Sequence, residues 1–230
     1  MTERSEQIRI GLQEVRRRIE SAALAADRDP TSVRLVVVTK FFPASDVRIL
    51  ADLGVEDVGE NRHQEAEEKA ATCLDLGLRW HFIGGLQSNK AAAVARYADV
   101  VESVDRPKLL APLARGADER GRPLDVLLQV SLDPPGSDHR FGVAPDDVAD
   151  LASRAAATEG LRLRGLMAVA PLGEEPETAF ARLADLRGLF LGAHPDADTL
   201  SAGMSSDLES AVKHGATHVR VGSAVLGSRP

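Results

Sequence analysis

The sequence predicts an α/β fold: a single (β/α)8 TIM barrel over residues 1–230, with one extra helix at its N-terminus. Three observations carry this expectation. Eight apolar runs alternate with stretches of helical spacing, the pattern of βαβ units and hence of a parallel sheet. The first run, Arg34-Leu35-Val36-Val37-Val38-Thr39-Lys40, is β-branched and apolar at its centre, as strands buried on both faces are. A chain of 230 residues matches the usual size of one such barrel. An open doubly wound sheet is the runner-up. No Gly-x-Gly-x-x-Gly follows the first strand, which argues against the dinucleotide-binding form of that fold.

The elements follow in order. Ile8, Leu12, Val15 and Ile19 recur at helical spacing with Arg16, Arg17 and Arg18 between them, so residues from about 5 to 26 form an amphipathic opening helix whose arginines face solvent. Asp29-Pro30 ends it. Strand one stops at Lys40; Pro43 and Ala44-Ser45 lead into a helix through Leu53, where Gly54 is the C-cap glycine. Strands are then expected at Val55–Val58, Trp80–Ile83, Asp99–Ser103 and Leu124–Val130, each followed by a helix. The longest loop runs from Asp133 to Gly142. Strand six spans Leu161–Val169, strand seven Thr199–Ser201 and strand eight Thr217–Val221; helices begin near Pro145, Pro176 and Ser205.

Composition narrows the function classes. A hydrophobic content of 43% with 27% charged residues is that of a globular protein. The formal net charge of −7 argues against nucleic acid or an anionic membrane surface as partner. No apolar run approaches the ~20 residues that span a bilayer, and the polar start Met1-Thr2-Glu3-Arg4-Ser5-Glu6 lacks the apolar core of a signal peptide. The expected location is the cytoplasm. Cys73 is the lone cysteine and reads as a small buried residue. The six histidines are scattered with no metal-site spacing, so no metal is expected. His81, inside strand three, reads as packed and hydrogen-bonded. Glu65, Glu67 and Glu68 read as a solvated helix face; Gln87 and Asn89 suit a ligand pocket or, for Asn89, a helix cap.

In a barrel, chemistry gathers where strands end. Lys40, Asn61, the loop from Gly84 to Asn89, the loop around Arg140, Met167 to Pro171, Ser201 to Ser206 and Arg220 to Ser223 all fall at such ends. An amine in apolar surroundings loses its proton more readily and can attack a carbonyl as a Schiff-base nucleophile; the plainer reading is that Lys40 snorkels out of the strand end. The loops after strands seven and eight, Ser201-Ala202-Gly203-Met204-Ser205-Ser206-Asp207 and Arg220-Val221-Gly222-Ser223-Ala224, place small residues where barrels hold phosphate. Ser205 and Ser206 could equally cap a helix. Together with the lysine, these loops favour a phosphate-bearing aldehyde as ligand.

The motifs Thr39-Lys40, Gly59-Glu60-Asn61-Arg62, His81-Phe82-Ile83-Gly84-Gly85-Leu86-Gln87-Ser88-Asn89-Lys90, Gly165-Leu166-Met167, Gly203-Met204-Ser205-Ser206-Asp207 and Val219-Arg220-Val221-Gly222-Ser223 resemble those of the pyridoxal phosphate homeostasis protein family (YggS/PROSC). The resemblance runs from about residue 5 to the C-terminus. It implies a barrel like the N-terminal domain of alanine racemase, carrying pyridoxal 5′-phosphate. It further implies that Lys40 forms the Schiff base and Arg220 lies against the pyridine nitrogen. By the same resemblance Ser205, Gly222 and Ser223 hold the phosphate, Asn61 lines the ring pocket, and Ser201 and Met204 are neighbours. A cytoplasmic monomer acting in vitamin B6 homeostasis without efficient dedicated catalysis, with PLP-dependent apo-enzymes as possible recipients, is the expected function. The alternatives are a low-activity PLP-dependent amino-acid racemase and a cofactor-free Schiff-base aldolase. The chain departs from the family in having Thr39 where serine is common, no lysine near Arg140 where one is common, Ala202 for a methionine and Leu226 for an aromatic.

Overall fold

The computed structural model describes residues 2–133 and 141–228; Arg140, singled out above, lies outside them. Eight parallel strands close a barrel in chain order: β1 (Arg34–Val38), β2 (Asp57–Glu60), β3 (Arg79–Phe82), β4 (Val100–Val104), β5 (Leu124–Val130), β6 (Leu161–Ala168), β7 (Thr199–Ser201) and β8 (His218–Val221). The α-helices are α1 (Glu3–Ala25), α2 (Ala44–Asp52), α3 (His63–Thr72), α4 (Ala91–Tyr97), α5 (Leu110–Glu119), α6 (Val148–Ala156), α7 (Pro176–Ala193), α8 (Leu208–Lys213) and α9 (Ser223–Leu226). Closure is made by β1 and β8, with Val36 opposite Arg220 and Val37 opposite Val221. That pairing carries the two ends of the chain to one place.

Alternation along each strand divides the side chains between two regions. Val37, Val58, Val101, Leu128, Leu166 and Val219 point outward and pack beneath the helices. Inside the barrel, Val100, Leu127 and Met167 make a small cluster of their own. The interior also carries buried polar groups: Asp57, His81, Glu102, Ser201 and Arg220. A barrel core is ordinarily apolar, so these are the groups to explain.

The leading helix is held by the stripe expected from its spacing. Ile8, Leu12, Val15 and Ile19 are buried, and the Thr2 side chain caps the N-terminus by accepting the Ser5 N–H at 3.1 Å. Gly11 lets α1 approach α9 closely, since a Cβ there would lie 2.6 Å from the Val225 carbonyl oxygen.

Several boundaries differ from expectation by one to three residues, and two of them bear on the site. β2 starts at Asp57, not Val55, and runs to Glu60. Val55 packs in the helix–sheet layer, while Gly59 and Glu60 pair with His81 and Phe82. The helix expected from Ser205 begins at Leu208 with Asp207 as its N-cap, so Ser205 and Ser206 do not cap it. Among the described residues no helix is long and apolar enough to cross a membrane.

Candidate functional site

A cavity of about 280 Å³ opens at the carboxyl end of the barrel, lined by Val38, Lys40, Phe42, Ile83, Met204, Ser205, Ser206, Arg220, Gly222 and Ser223. Lys40, Met204, Ser205, Arg220, Gly222 and Ser223 are thus brought together, although they come from both ends of the chain. Asn61 and Ser201 are not among the lining residues. Asn61 follows β2 and packs against Gly84, where a Cβ would come within 2.1 Å of the Asn61 carbonyl oxygen. Gln87 and Asn89 are exposed and line no part of this cavity. Val38, Phe42 and Ile83 supply its apolar wall and were not anticipated; their apolar character at strand ends was the available signal.

β1 delivers Lys40 through a strained turn. Phe41 has φ +71, a left-handed conformation uncommon for a bulky residue. It is stabilised by Glu65, which accepts the Phe41 N–H at 2.5 Å, and by the Arg62 guanidinium 4.8 Å from the ring centre. Glu65 therefore belongs to this turn and not to a solvated helix face. Behind it sits a buried ammonium. Lys69 Nζ donates to the Thr39 carbonyl at 2.7 Å, to Glu60 Oε1 at 2.7 Å and to Glu65 Oε1 at 2.6 Å. The Thr39 hydroxyl donates to the same Glu60 oxygen at 2.6 Å. Burial pushes the Glu60 carboxyl upward despite these donors. The spacing of Glu65 and Lys69, four residues apart on a helix, was the signal for this cluster.

β8 delivers Arg220, which is only 4% exposed. Its Nη1 donates to Ser201 Oγ at 2.7 Å and its Nη2 to the Ala168 carbonyl at 2.8 Å. Ser201 in turn donates to Glu102 Oε2 at 2.6 Å. Glu102 Oε1 meets His81 Nδ1 at 2.7 Å, and His81 Nε2 meets Asp57 Oδ1 at 2.9 Å. Asp57 Oδ2 accepts from Arg34 at 2.8 Å. Burial raises both carboxyls, but bonding to His81 outweighs it and brings Asp57 and Glu102 to about 2. Burial works against the His81 cation, yet the two carboxylates together raise its pKa. His218, 6.2 Å from His81 between ring centres, is lowered to about 4, chiefly by burial.

Ser205, Gly222 and Ser223 close the cavity with small groups. Gly222 sits tight against β1, since a Cβ would lie 3.1 Å from the Val38 carbonyl oxygen. The Arg220 N–H donates to the Gly203 carbonyl at 2.9 Å, joining the two loops. A lysine, a buried guanidinium and a small-residue cradle suit a compact aromatic aldehyde carrying phosphate, and the cavity lies near the lower end of the ~300–1,000 Å³ typical of small-molecule sites. Among the described residues no three His, Cys, Asp or Glu side chains converge as a metal site.

Comparison with known proteins shows the family and the fold. The alanine racemase N-terminal domain family model matches residues 10–230. The pyridoxal phosphate homeostasis protein of Mycobacterium tuberculosis is 42% identical, covering 99% of this chain and 95% of that protein. Its counterpart in Pseudomonas aeruginosa is 45% identical over 92% of this chain and 91% of that protein. PipY of Synechococcus elongatus, solved with PLP bound, is 35% identical with a TM-score of 0.83, covering 96% of this chain and 100% of that one. Alanine racemase of Corynebacterium glutamicum, at 15% identity and a TM-score of 0.70 over 96% of this chain and 60% of that one, shares the fold. The chain therefore belongs to the pyridoxal phosphate homeostasis protein family, built on the alanine racemase N-terminal domain fold.

Proposed function

We propose that this protein binds pyridoxal 5′-phosphate as a carrier in vitamin B6 homeostasis, holding it through Lys40 as a Schiff base. The observation that carries the reading is the meeting of Lys40 and Arg220, from opposite ends of the chain, in one cavity with Ser205, Gly222 and Ser223. PLP bound in the relative PipY supports the same ligand. When bound, the group supplies an aldehyde for an amine and a ring that accepts electrons. Lys40 provides the amine, and the two small-residue loops receive the phosphate with N–H and hydroxyl donors. Arg220, charged at any working pH, disfavours a proton on the ring nitrogen and so weakens the ring as an electron sink. Tyr97, the chain's one tyrosine, stacks on His63 with ring centres 5.9 Å apart and is not among the residues lining the cavity, so it is not placed to serve as a base there. Both features favour a carrier without efficient dedicated catalysis over a low-activity amino-acid racemase.

One spectrum tests it. Purified protein supplied with pyridoxal phosphate is expected to absorb near ~420 nm and to lose that band on borohydride reduction. Lys40→Ala abolishes the reducible species; a variant that still traps cofactor at full stoichiometry moves the role to another lysine. Arg220→Glu favours ring protonation and raises slow side reactions with amino acids; unchanged rates in a folded variant count against the assigned role. Turnover of L-alanine to its D form at ordinary enzymatic rates would favour the racemase reading.

A further inference from the structure

We propose that Ser201 and Glu102 are positioning residues that hold the Arg220 guanidinium forward in the cavity wall, with His81 and Asp57 locking Glu102 from behind. The proposal rests on the reading of this cavity as a pyridoxal phosphate site. Neither Ser201 nor Glu102 is among the residues lining it, so both act through Arg220 and not by touching ligand.

The donor and acceptor inventory forces the direction of each bond. A serine hydroxyl has one proton. Ser201 can accept from Arg220 Nη1 at 2.7 Å with its own proton committed elsewhere, and Glu102 Oε2 takes that proton at 2.6 Å. Glu102 cannot swing away, because His81 holds its other oxygen at 2.7 Å. His81 is fixed on its far side by Asp57 at 2.9 Å, and Asp57 by Arg34. Of the five guanidinium N–H groups, one on Nη1 goes to Ser201 and one on Nη2 to the Ala168 carbonyl.

The hydroxyl also acts as a spacer. Glu102 Oε2 lies 3.8 Å from Arg220 Nη1, close enough to balance a buried cation but beyond a direct hydrogen bond. A bidentate pair between the two would draw the guanidinium back toward β4. With Ser201 between them, Arg220 keeps its charge inside the barrel and stays at the cavity wall. A long, rotamer-rich side chain fixed in advance binds more tightly than one ordered on binding.

The test uses the full-length protein, without ligand and then with pyridoxal phosphate. In the ligand-free protein the side-chain N–H signals of Arg220, assigned by their loss in Arg220→Lys, are expected to exchange slowly with solvent. Ser201→Ala and Glu102→Gln should each speed that exchange by about tenfold or more, and Ser201→Thr should restore it. With pyridoxal phosphate added, Ser201→Ala and Glu102→Gln should weaken binding by about tenfold and shift the cofactor's absorbance, while Ser201→Thr matches the parent. Unchanged exchange and an unchanged cofactor spectrum in folded Ser201→Ala overturn the proposal, whatever its melting temperature. Ser201→Ala leaves the Glu102–His81–Asp57 contacts in place, so the proposal stays testable if Glu102→Gln fails to fold. If the parent takes up no pyridoxal phosphate but the ligand-free signals still respond, the cofactor reading alone falls and the hold on Arg220 stands.

Discussion

Lys69 is the buried side chain on which the Lys40 turn depends. Its ammonium, flanked by Glu60, Glu65 and the Thr39 carbonyl, fixes the residue directly before Lys40 and the carboxylate that caps the strained Phe41 N–H. Lys69→Met preserves the aliphatic stem but takes the neutralising ammonium from two carboxyls, which keep only the Thr39 hydroxyl and the Phe41 N–H, and from the Thr39 carbonyl. Removing one partner from a buried charge cluster typically costs about 3–5 kcal/mol. Chemical denaturation should show a loss of that order, and attachment of pyridoxal phosphate at Lys40 should slow. A loss below about 1 kcal/mol, the range of exposed ion pairs, would mean that the cluster only decorates the turn.

At the level of elements, the ends of the barrel strands are joined by contacts that glycine alone allows. Gly165 in β6 has φ +148, and a Cβ there would fall 1.8 Å from the Thr199 carbonyl oxygen in β7. Gly165→Ala therefore forces β6 and β7 apart and displaces Ser201, with a loss of several kcal/mol, above the ~1–3 kcal/mol of ordinary overpacking. Gly11→Ala pushes α1 off α9 against the Val225 carbonyl; its loss should fall within the overpacking range and be accompanied by weaker cofactor binding through Ser223, the first residue of α9. Thermal melts and a titration check both, and equal stability of Gly11→Ala and parent would remove the close approach from the account. Much of this architecture was legible beforehand. The β-branched runs marked the strands, and Gly54 at φ +73 marked a helix end. β2 was displaced because an apolar pattern stops at Val58, whereas its last paired residues are Gly59 and a buried glutamate. The lining of the mouth by Lys40, Arg220, Ser205, Gly222 and Ser223 could be anticipated from strand-end motifs. The row behind it was legible only in part: Ser201 and His81 stood out, but Glu102 and Asp57 did not. Glu102 lies in Val100-Val101-Glu102-Ser103-Val104, and hydrophobic periodicity carries no mark of a charge that is satisfied by side chains from distant strands.

For the whole molecule, the polar interior of the barrel ties stability to pH. Asp57 and Glu102 sit near 2 in the fold, below their ordinary values near 4. Their contribution is therefore complete above about pH 5 and is lost as pH falls toward 2. His218, neutral and lowered to about 4 with burial as the chief cause, also favours the fold at higher pH. The unfolded imidazole takes up a proton near 6.5, so this contribution declines as pH falls from about 6.5 through 4, by at most about 3 kcal/mol. His81 has the opposite sign. Held between two carboxylates, it titrates above its ordinary value, so its stabilisation is present below about 6.5 and is lost as pH rises through the folded pKa. The two histidines, 6.2 Å apart, thus divide the work: one is kept charged, the other neutral. Denaturant midpoints measured across pH should peak near neutrality and fall on the acid side in two stages, the first already below pH 6.5. His218→Gln removes the first stage and leaves the second. A midpoint that stays flat from pH 6.5 to 5 in the parent, or an unchanged first stage in His218→Gln, would show that the buried imidazole is not the group that makes the barrel acid-sensitive.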